Sequence, residues 1–470
     1  MSRDRRDHPQ PQGPWIYRLT WWVAYIALHL FYRRIDSVNA HYLPAAGPSV
    51  LAANHPNYII DALAIAVQTR RQIHFVAKGP LLDRYPLLSR FLRAIGVVPV
   101  FRAQDLPPRD RSGRARQNRL AFAHCSDLLA ENGAICVFAE GESHAEPRVR
   151  DLRTGAARMV LEAERSRNYR LGVTVVPVGL YFPEEDRYFS DGVVIYGPPL
   201  DTTPFRAQHK TDPNGAVHAL TEALQEELQA LTLHLPDLDW AEFVEQMRDL
   251  IEAWPREPTA AQARLRLCQE LAWACERFRQ EQPAEADRFR RDVAVLWSRA
   301  DAWRLHALPE ADTTARRTGM VQRLRDALAL PFAAAGFVYN APPYLTVRLW
   351  SAYFVRSKEK RAFVKFLVAV PAFLSWYAVV TRRLTRQWRA AGLALWLVGP
   401  TTGLLALRMR VHRRRWLDAW RPLDSAQDVR LAAEIAAERE ELLARFAPWR
   451  AAYRAQRAGA ATPQEPTQVP

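Results

Sequence analysis

Residues 50–66 read VLAANHPNYIIDALAIA, and within that stretch His55 and Asp61 have the clearest capacity for chemistry. Histidine titrates near neutrality and serves as a general base; a carboxylate beside it fixes the tautomer and stabilises the imidazolium. No nucleophilic Ser or Cys motif accompanies the pair, so the chemistry it suits is direct activation of a substrate hydroxyl. The competing reading is a satisfied polar pair in an ordinary turn, since a His and an Asp six apart also arise by chance. A strand ending near Asn54 and a helix beginning between Tyr58 and Asp61 would hold both groups at a strand-to-helix loop, a common place for catalytic residues.

Those two elements belong to a longer alternation. From about Val50 to Leu200 the short β-like runs SVLAAN, IHFVAK, VVPVF, AICVFAE, VTVVPVGLYF and GVVIYG alternate with helix-periodic stretches such as 116–131 and 153–166. Several runs are apolar on both faces, as strands covered by helices on both sides must be, and the class is α/β. From Ala216 to about Leu330 the β signals stop, and long amphipathic Glu/Gln/Arg/Leu/Ala helices follow, broken at HLPDLD, WPREP and EQPAEAD.

Three apolar segments bear on location. WIYRLTWWVAYIALHLFY, Trp15 to Tyr32, is too short in its uncharged part to span a bilayer. It fits either a helix lying in the membrane interface or a core-packing helix. Phe363 to Val380 and Ala390 to Leu407 approach spanning length, and each contains a proline, which lipid-buried helices tolerate. Basic clusters precede, separate and follow this pair (Arg356 to Arg361, Arg382 to Arg389, Arg408 to Arg415). A two-span hairpin wants one side depleted of Arg and Lys. A shallow re-entrant hairpin with all three clusters at cytoplasmic headgroups removes that conflict.

The chain has 470 residues, a formal net charge of +15 and a sequence pI near 10.0. Such a balance calls for an anionic partner. Because the densest Arg clusters flank apolar segments, the partner expected is an anionic lipid membrane, not nucleic acid. The four cysteines form no CxxC pair and read as reduced thiols, and no cleavable signal follows the charged N-terminus. The expected organisation is a tail and interfacial helix (1–40), an α/β domain (41–215), an all-α helical region (216–345), a membrane-associated two-helix hairpin with basic flanks (346–420), and a helix with a disordered tail (421–470).

Three further blocks stand in register with the first: KGPLLDRYPLLSRFLRAIGVVPVFR (Lys78 to Arg102), VFAEGESHAEPRVRDLRTGAARM (Val137 to Met159) and VVPVGL (Val175 to Leu180). In order and spacing the four blocks resemble the glycerol-phosphate and lysophosphatidate acyltransferase family, over about Tyr32 to Leu200. The branch is similar to the eukaryotic-type glycerol-3-phosphate acyltransferases. The resemblance implies that His55 is the catalytic base and Asp61 its charge partner. It implies that Gly96 and Arg102 belong to the acceptor-binding motif, and that Glu140 and Gly141 lie beside the acceptor phosphate. Pro177 falls on the acyl-donor or packing block. Lys78 is a further candidate for phosphate.

Three departures stand out. Five residues separate His55 from Asp61 where the commonest motif has four, and the usual proline before Glu-Gly is Ala139. The usual Thr and Arg after Glu-Gly are replaced by Glu142, Ser143 and His144. Arg148, Arg150, Arg153 or Arg158 would then supply the phosphate-binding cation, Arg153 being preferred, because the guanidinium fork suits phosphate oxygens.

The implied reaction passes an acyl group from acyl-CoA or acyl-carrier-protein, as co-substrate, to a phosphate-bearing glycerol acceptor. It needs no metal, no other cofactor and no acyl-enzyme, and it would proceed at the cytoplasmic side of a bacterial inner membrane. A catalytically decayed membrane-bound lipid-binding or scaffold protein is the alternative. A zinc-deaminase reading of HAE at 144–146 fails because no PCxxC follows, and a metal hydrolase lacks any ligand spacing.

Overall fold

A computed structural model describes residues 11–79, 86–100, 111–252, 260–302, 313–354, 358–385, 398–407, 409 and 426–460. The described residues fall into two compact units, 1–234 with 357–363, and 235–356 with 364–470.

The first unit is built on a seven-stranded sheet. Helix α1 (Trp15–Phe31) leads into β1 (Arg34–Val38), then β2 (Ser49–Ala53), α2 (Ile59–Val67) and β3 (Ile73–Lys78). Next come α3 (Pro86–Ala94), β4 (Val98–Val100), α4 (Arg111–Ala130), β5 (Ala134–Phe138) and α5 (Gly155–Ser166). The unit is completed by β6 (Thr174–Tyr181), β7 (Asp191–Tyr196), α6 (Thr203–His209) and α7 (Pro213–Leu231). The strand order is β1-β7-β6-β2-β5-β3-β4, every neighbouring pair being parallel except β6 with β7.

Strand β2 is buried at all five positions, as its unbroken Ser-Val-Leu-Ala-Ala run requires. Its residues alternate between two cores. Leu51 and Ala53 pack with Trp21, Leu28 and Ile65 of α1 and α2. Val50 and Ala52 pack with Leu129, Val160 and Leu224 from the helices on the other face. Helix α7, which the pattern alone placed at the head of the helical region, belongs to this sheet. Its Val217, Leu220, Leu224 and Leu228, spaced three and four apart, are buried there, and Asp212 caps it by accepting from the Gly215 amide.

At the N-terminal edge of the sheet the buried Arg71 guanidinium donates to the carbonyls of Pro44, Gly47 and Asn132 and to Ser49 Oγ. Arg71→Leu strands those acceptors and should lower the unfolding free energy by about 3 kcal/mol. Chemistry at the opposite edge should be unchanged per folded molecule; urea titration beside a turnover assay reads both.

Helix α1 serves two environments. Tyr17, Trp21, Ala24 and Leu28 are buried in the sheet core, whereas Trp15, Leu19, Trp22, Val23, Ile26 and Leu30 form an exposed apolar stripe. The core-packing alternative therefore accounts for one face only.

The second unit is helical: α8 (Ala241–Glu252), α9 (Ala261–Glu281), α10 (Pro283–Ala302), α11 (Thr313–Phe354), most of α12 (Lys358–Thr385), α13 (Val398–Leu407) and α14 (Ala426–Ala460). Phe243, Phe278, Phe289 and Phe446 form its aromatic core, with Phe289 stacked on Phe446 at 5.5 Å. Among the described residues one stretch, Phe363–Arg383, is long and apolar enough to cross a membrane, with mean hydropathy 1.9. Of the expected second arm, 398–407 is a shorter apolar helix, and 390–397 lies outside the described residues. All four cysteines are buried free thiols.

Candidate active site

Because β2, β5, β3 and β4 run parallel, their C-terminal ends share one edge of the sheet, the edge at which open α/β sheets bind ligands. His55 follows β2, the loop 139–144 follows β5, and Lys78 ends β3. The residue expected to hold the acceptor, Arg102, follows β4 and lies outside the described residues.

The five-residue spacing between His55 and Asp61 has a local explanation. Tyr58 takes a left-handed φ of 50° at the helix N-cap, which absorbs the additional residue, and its amide donates to Ser143 Oγ at 3.0 Å. Asp61 then sits in the first turn of α2 and reaches back to accept the Asn57 amide at 2.7 Å, much as the carboxylate of a capping box does. The same oxygen, Oδ2, is 2.8 Å from His55 Nδ1. A carboxylate only accepts, so Nδ1 carries the proton and Nε2 is the basic nitrogen.

The pair is sheltered. The Asp61 side chain is fully buried and that of His55 is 16 % exposed. The imidazole stacks on Phe138 at 3.9 Å between ring centres, and Phe75 stacks behind Phe138 at 6.4 Å. Asn57 Nδ2 donates to Tyr32 Oη at 2.7 Å, and Tyr32 Oη donates to the Glu185 carbonyl at 2.8 Å, fixing the turn from behind. Asn54 exchanges two hydrogen bonds with the Leu180 backbone and so ties the end of β2 to β6.

Burial pushes the Asp61 carboxyl above the ordinary aspartate value, against the opposing pull of the His55 hydrogen bond. A carboxyl whose folded pKa is raised costs stability above its unfolded pKa, and the cost is relieved as pH falls. Asp61→Asn should therefore leave the melting temperature at neutral pH unchanged or higher while removing most activity. Parallel thermal melts and turnover assays check this, and a large loss of melting temperature would contradict it.

The loop after β5 is locked to the loop after β2. Buried Glu140 accepts from the His55 amide at 2.9 Å through Oε1. Through Oε2 it accepts from the Arg150 amide, also at 2.9 Å, and pairs with His144 Nε2. The His144 amide donates to the His55 carbonyl at 3.1 Å. Both Glu140 oxygens thus face protein donors, and this carboxylate positions the His55 loop. Gly141 follows at φ 78°, a conformation that glycine adopts without strain.

The other expected residues divide by environment. Gly96 has φ 90°, and a Cβ there would lie 2.7 Å from His74 Nδ1, so glycine is a backbone requirement at the turn into β4. Lys78 is exposed at the end of its strand. Pro177 is buried in β6, and a Cβ on Gly197 would come within 2.8 Å of its ring.

Of the four nearby arginines, Arg148 and Arg150 both pair with Glu146. Arg150, then Arg148, hold that carboxyl down to about 2. Arg158 Nε bonds Thr154 Oγ1 at 3.3 Å. Arg153 is exposed, its amide bonded to the Ala139 carbonyl at 2.8 Å, and among the described residues its guanidinium pairs with no carboxylate. Among the described residues no group of three His, Cys, Asp or Glu is placed to hold a metal ion.

The strands and loops that carry the His55–Asp61 pair match the Acyltransferase family model over residues 34–181. Residues 34–181 are an acyltransferase domain. Beyond this domain, similarity to curated proteins extends over about half the chain. An uncharacterized acyltransferase of Schizosaccharomyces pombe is 22 % identical over 324 residues, 51 % of this chain and 47 % of that protein. Glycerol-3-phosphate O-acyltransferase 1 of Saccharomyces cerevisiae is 21 % identical, over 50 % of this chain and 42 % of its own length. Glycerol-3-phosphate O-acyltransferase 2 of the same yeast is 28 % identical over 136 residues, 29 % of this chain and 18 % of that protein. The chain thus spans about half the length or less of these relatives. The crystal structure of the 1-acyl-sn-glycerophosphate acyltransferase PlsC from Thermotoga maritima aligns over 46 % of this chain and 80 % of that one, at 17 % identity and a TM-score of 0.32.

The acyltransferase domain also contains residues that motif reading passed over. The Asn57 amide donates to Asp61 and Phe138 stacks on His55, while Tyr58 with Ser143, and His144 with the His55 carbonyl, bind the two loops together. In the sequence Ser143 and His144 stand where the commonest family motif has Thr and Arg, a replacement that the eukaryotic-type branch tends to share.

Proposed function

We propose that the protein is an O-acyltransferase that moves a fatty acyl group from an acyl thioester to the hydroxyl of glycerol 3-phosphate or lysophosphatidate. The observation that carries this reading is the 2.8 Å His55–Asp61 hydrogen bond at the sheet edge of the acyltransferase domain. His55 Nε2 takes the proton of the acceptor hydroxyl as its oxygen attacks the thioester carbonyl. Collapse of the tetrahedral adduct breaks the C–S bond, and the imidazolium returns its proton to the leaving thiolate. Asp61 stabilises the imidazolium between those two events. Arg102 and Arg153 hold the acceptor phosphate, and acyl-CoA or acyl-carrier-protein supplies the thioester.

The proposed setting of the reaction is the cytoplasmic face of a bacterial inner membrane. Supporting this are the exposed apolar stripe of α1, the apolar stretch Phe363–Arg383 and the net charge of +15, which favours anionic headgroups. Mass spectrometry of products formed from a long-chain acyl-CoA, with each acceptor offered separately, tests the substrate assignment. Lysophosphatidate formed from glycerol 3-phosphate, or phosphatidate from lysophosphatidate, identifies the acceptor. Absence of both, with acyl-CoA and with acyl-carrier-protein donors, rejects the reading.

A further inference from the structure

Helix α11 is ordered as a water-exposed helix would not be. Its inward stripe is small or polar: Ala333, Gly336, Asn340 and Ser351 are buried, at helical spacing. Its outward surface is apolar, with Leu328, Phe332, Val338, Leu345, Leu349 and Trp350 between 48 % and 72 % exposed. The apolar side is thus turned away from the helices it packs against.

The inner contacts explain the inversion. Asn340 Nδ2 donates to the carbonyls of Gly336 and Gly399, and its Oδ1 accepts from Tyr377 Oη at 2.8 Å, which joins α11, α12 and α13. Trp376 Nε1 adds a bond to the Tyr339 carbonyl at 2.9 Å. The backbones approach closely at glycines. A Cβ on Gly336 would overlap the Thr402 carbonyl, and one on Gly403 would lie 2.6 Å from Asn340 Nδ2. Gly399 and Gly403 are four apart, the small-residue spacing that packs helices within lipid.

Two further features name the solvent on the outer side. The run from Ala327 to Val347 carries no charge and is bounded by Arg325–Asp326 and Arg348. As a helix it measures about 31 Å, close to the ~30 Å hydrocarbon core of a bilayer. It also contains Pro331, Pro342 and Pro343, which destabilise a water-exposed helix interior but are tolerated in lipid.

We infer that α11 is a membrane-buried helix, its outer face against lipid acyl chains, and that with α12 and α13 it forms a three-helix intramembrane bundle centred on Asn340. The segment 327–347 thereby leaves the soluble helical region and joins the anchor. Its average hydropathy is below that of Phe363–Arg383 because Tyr339, Asn340 and the prolines dilute it, and Asn340 faces inward. The inference rests on the membrane location proposed above.

The test uses full-length protein carrying Leu328→Cys, Val338→Cys or, as the α12 reference, Leu374→Cys, each labelled with bimane. The native thiols are buried. Variants are reconstituted in phosphatidylcholine–phosphatidylglycerol vesicles and quenched either by lipids brominated on the chain or by aqueous iodide. Loss of emission at 328 and 338 to the brominated lipid, as at 374, with no loss to iodide, is the expected result. Iodide quenching at 328 and 338, with lipid quenching at 374, overturns the α11 assignment while keeping the membrane location. Iodide quenching at all three sites removes both. Resistance of 328 and 338 to both quenchers means that protein, such as a second copy, covers the face, and overturns the assignment as well. Gly336→Leu, which forces α11 off Thr402, should convert the label at 338 from lipid-quenched to iodide-quenched.

Discussion

His55→Ala should lower the rate of acyl transfer by about 100- to 10,000-fold, the usual contribution of a positioned general base. The loss should fall on kcat, with little change in KM for either substrate. The fold should survive, because the ring sits at the sheet edge, 16 % exposed, and Asp61, which loses the imidazole, still accepts the Asn57 amide. Since Asp61 acts through His55, adding Asp61→Asn to His55→Ala should cost almost nothing further. Steady-state thiol release by the two single variants and the double variant forms the cycle. Additive losses would mean that Asp61 contributes by a route other than the imidazole.

Glu140→Ala should have the largest combined effect on stability and activity. The substitution removes the acceptor for the His55 amide, the Arg150 amide and His144 Nε2, all in or beside a buried loop. Leaving buried donors without acceptors costs about 1–3 kcal/mol each, so about 3–5 kcal/mol of stability should be lost together with most of kcat. Glu140→Gln retains one acceptor and should fall between the wild type and the alanine variant in both measurements. Denaturant titration and substrate saturation curves separate two roles. A residue that positions His55 lowers kcat at nearly constant acceptor KM, whereas one that grips the acceptor raises KM.

How far the site could be read from sequence differs residue by residue. His55 and Asp61 were legible because residue type, spacing and the strand-to-helix boundary all agree, and the structure brings the two side chains within 2.8 Å. The additional residue between them was legible as an oddity. Its resolution through a left-handed Tyr58 was not, because nothing in the type of a tyrosine announces a positive φ. Glu140 was legible as a motif residue, but the direction of its carboxylate depends on which amides the fold brings beneath it, and those come from residues as far away as His55 and Arg150.

Element types were likewise clearer than their partners. The periodicity of α7 announces an amphipathic helix, yet only the sheet shows what its leucines cover. In α1 both faces are apolar, so periodicity could not choose between core and membrane, and the two faces in fact meet different surroundings. In α11 the polar residues of the inner stripe lowered the apolar signal that length and hydropathy rely on.

The most direct measurement is thiol release from a long-chain acyl-CoA, or acyl-carrier-protein, by the full-length protein in detergent, with and without glycerol 3-phosphate or lysophosphatidate. Wild-type protein should release thiol only when an acceptor is present, one acylated product appearing for each thiol, and His55→Ala should lose that release. Equal release by His55→Ala, or release that ignores the acceptor, would contradict the assignment of His55 as the base that activates an acceptor hydroxyl.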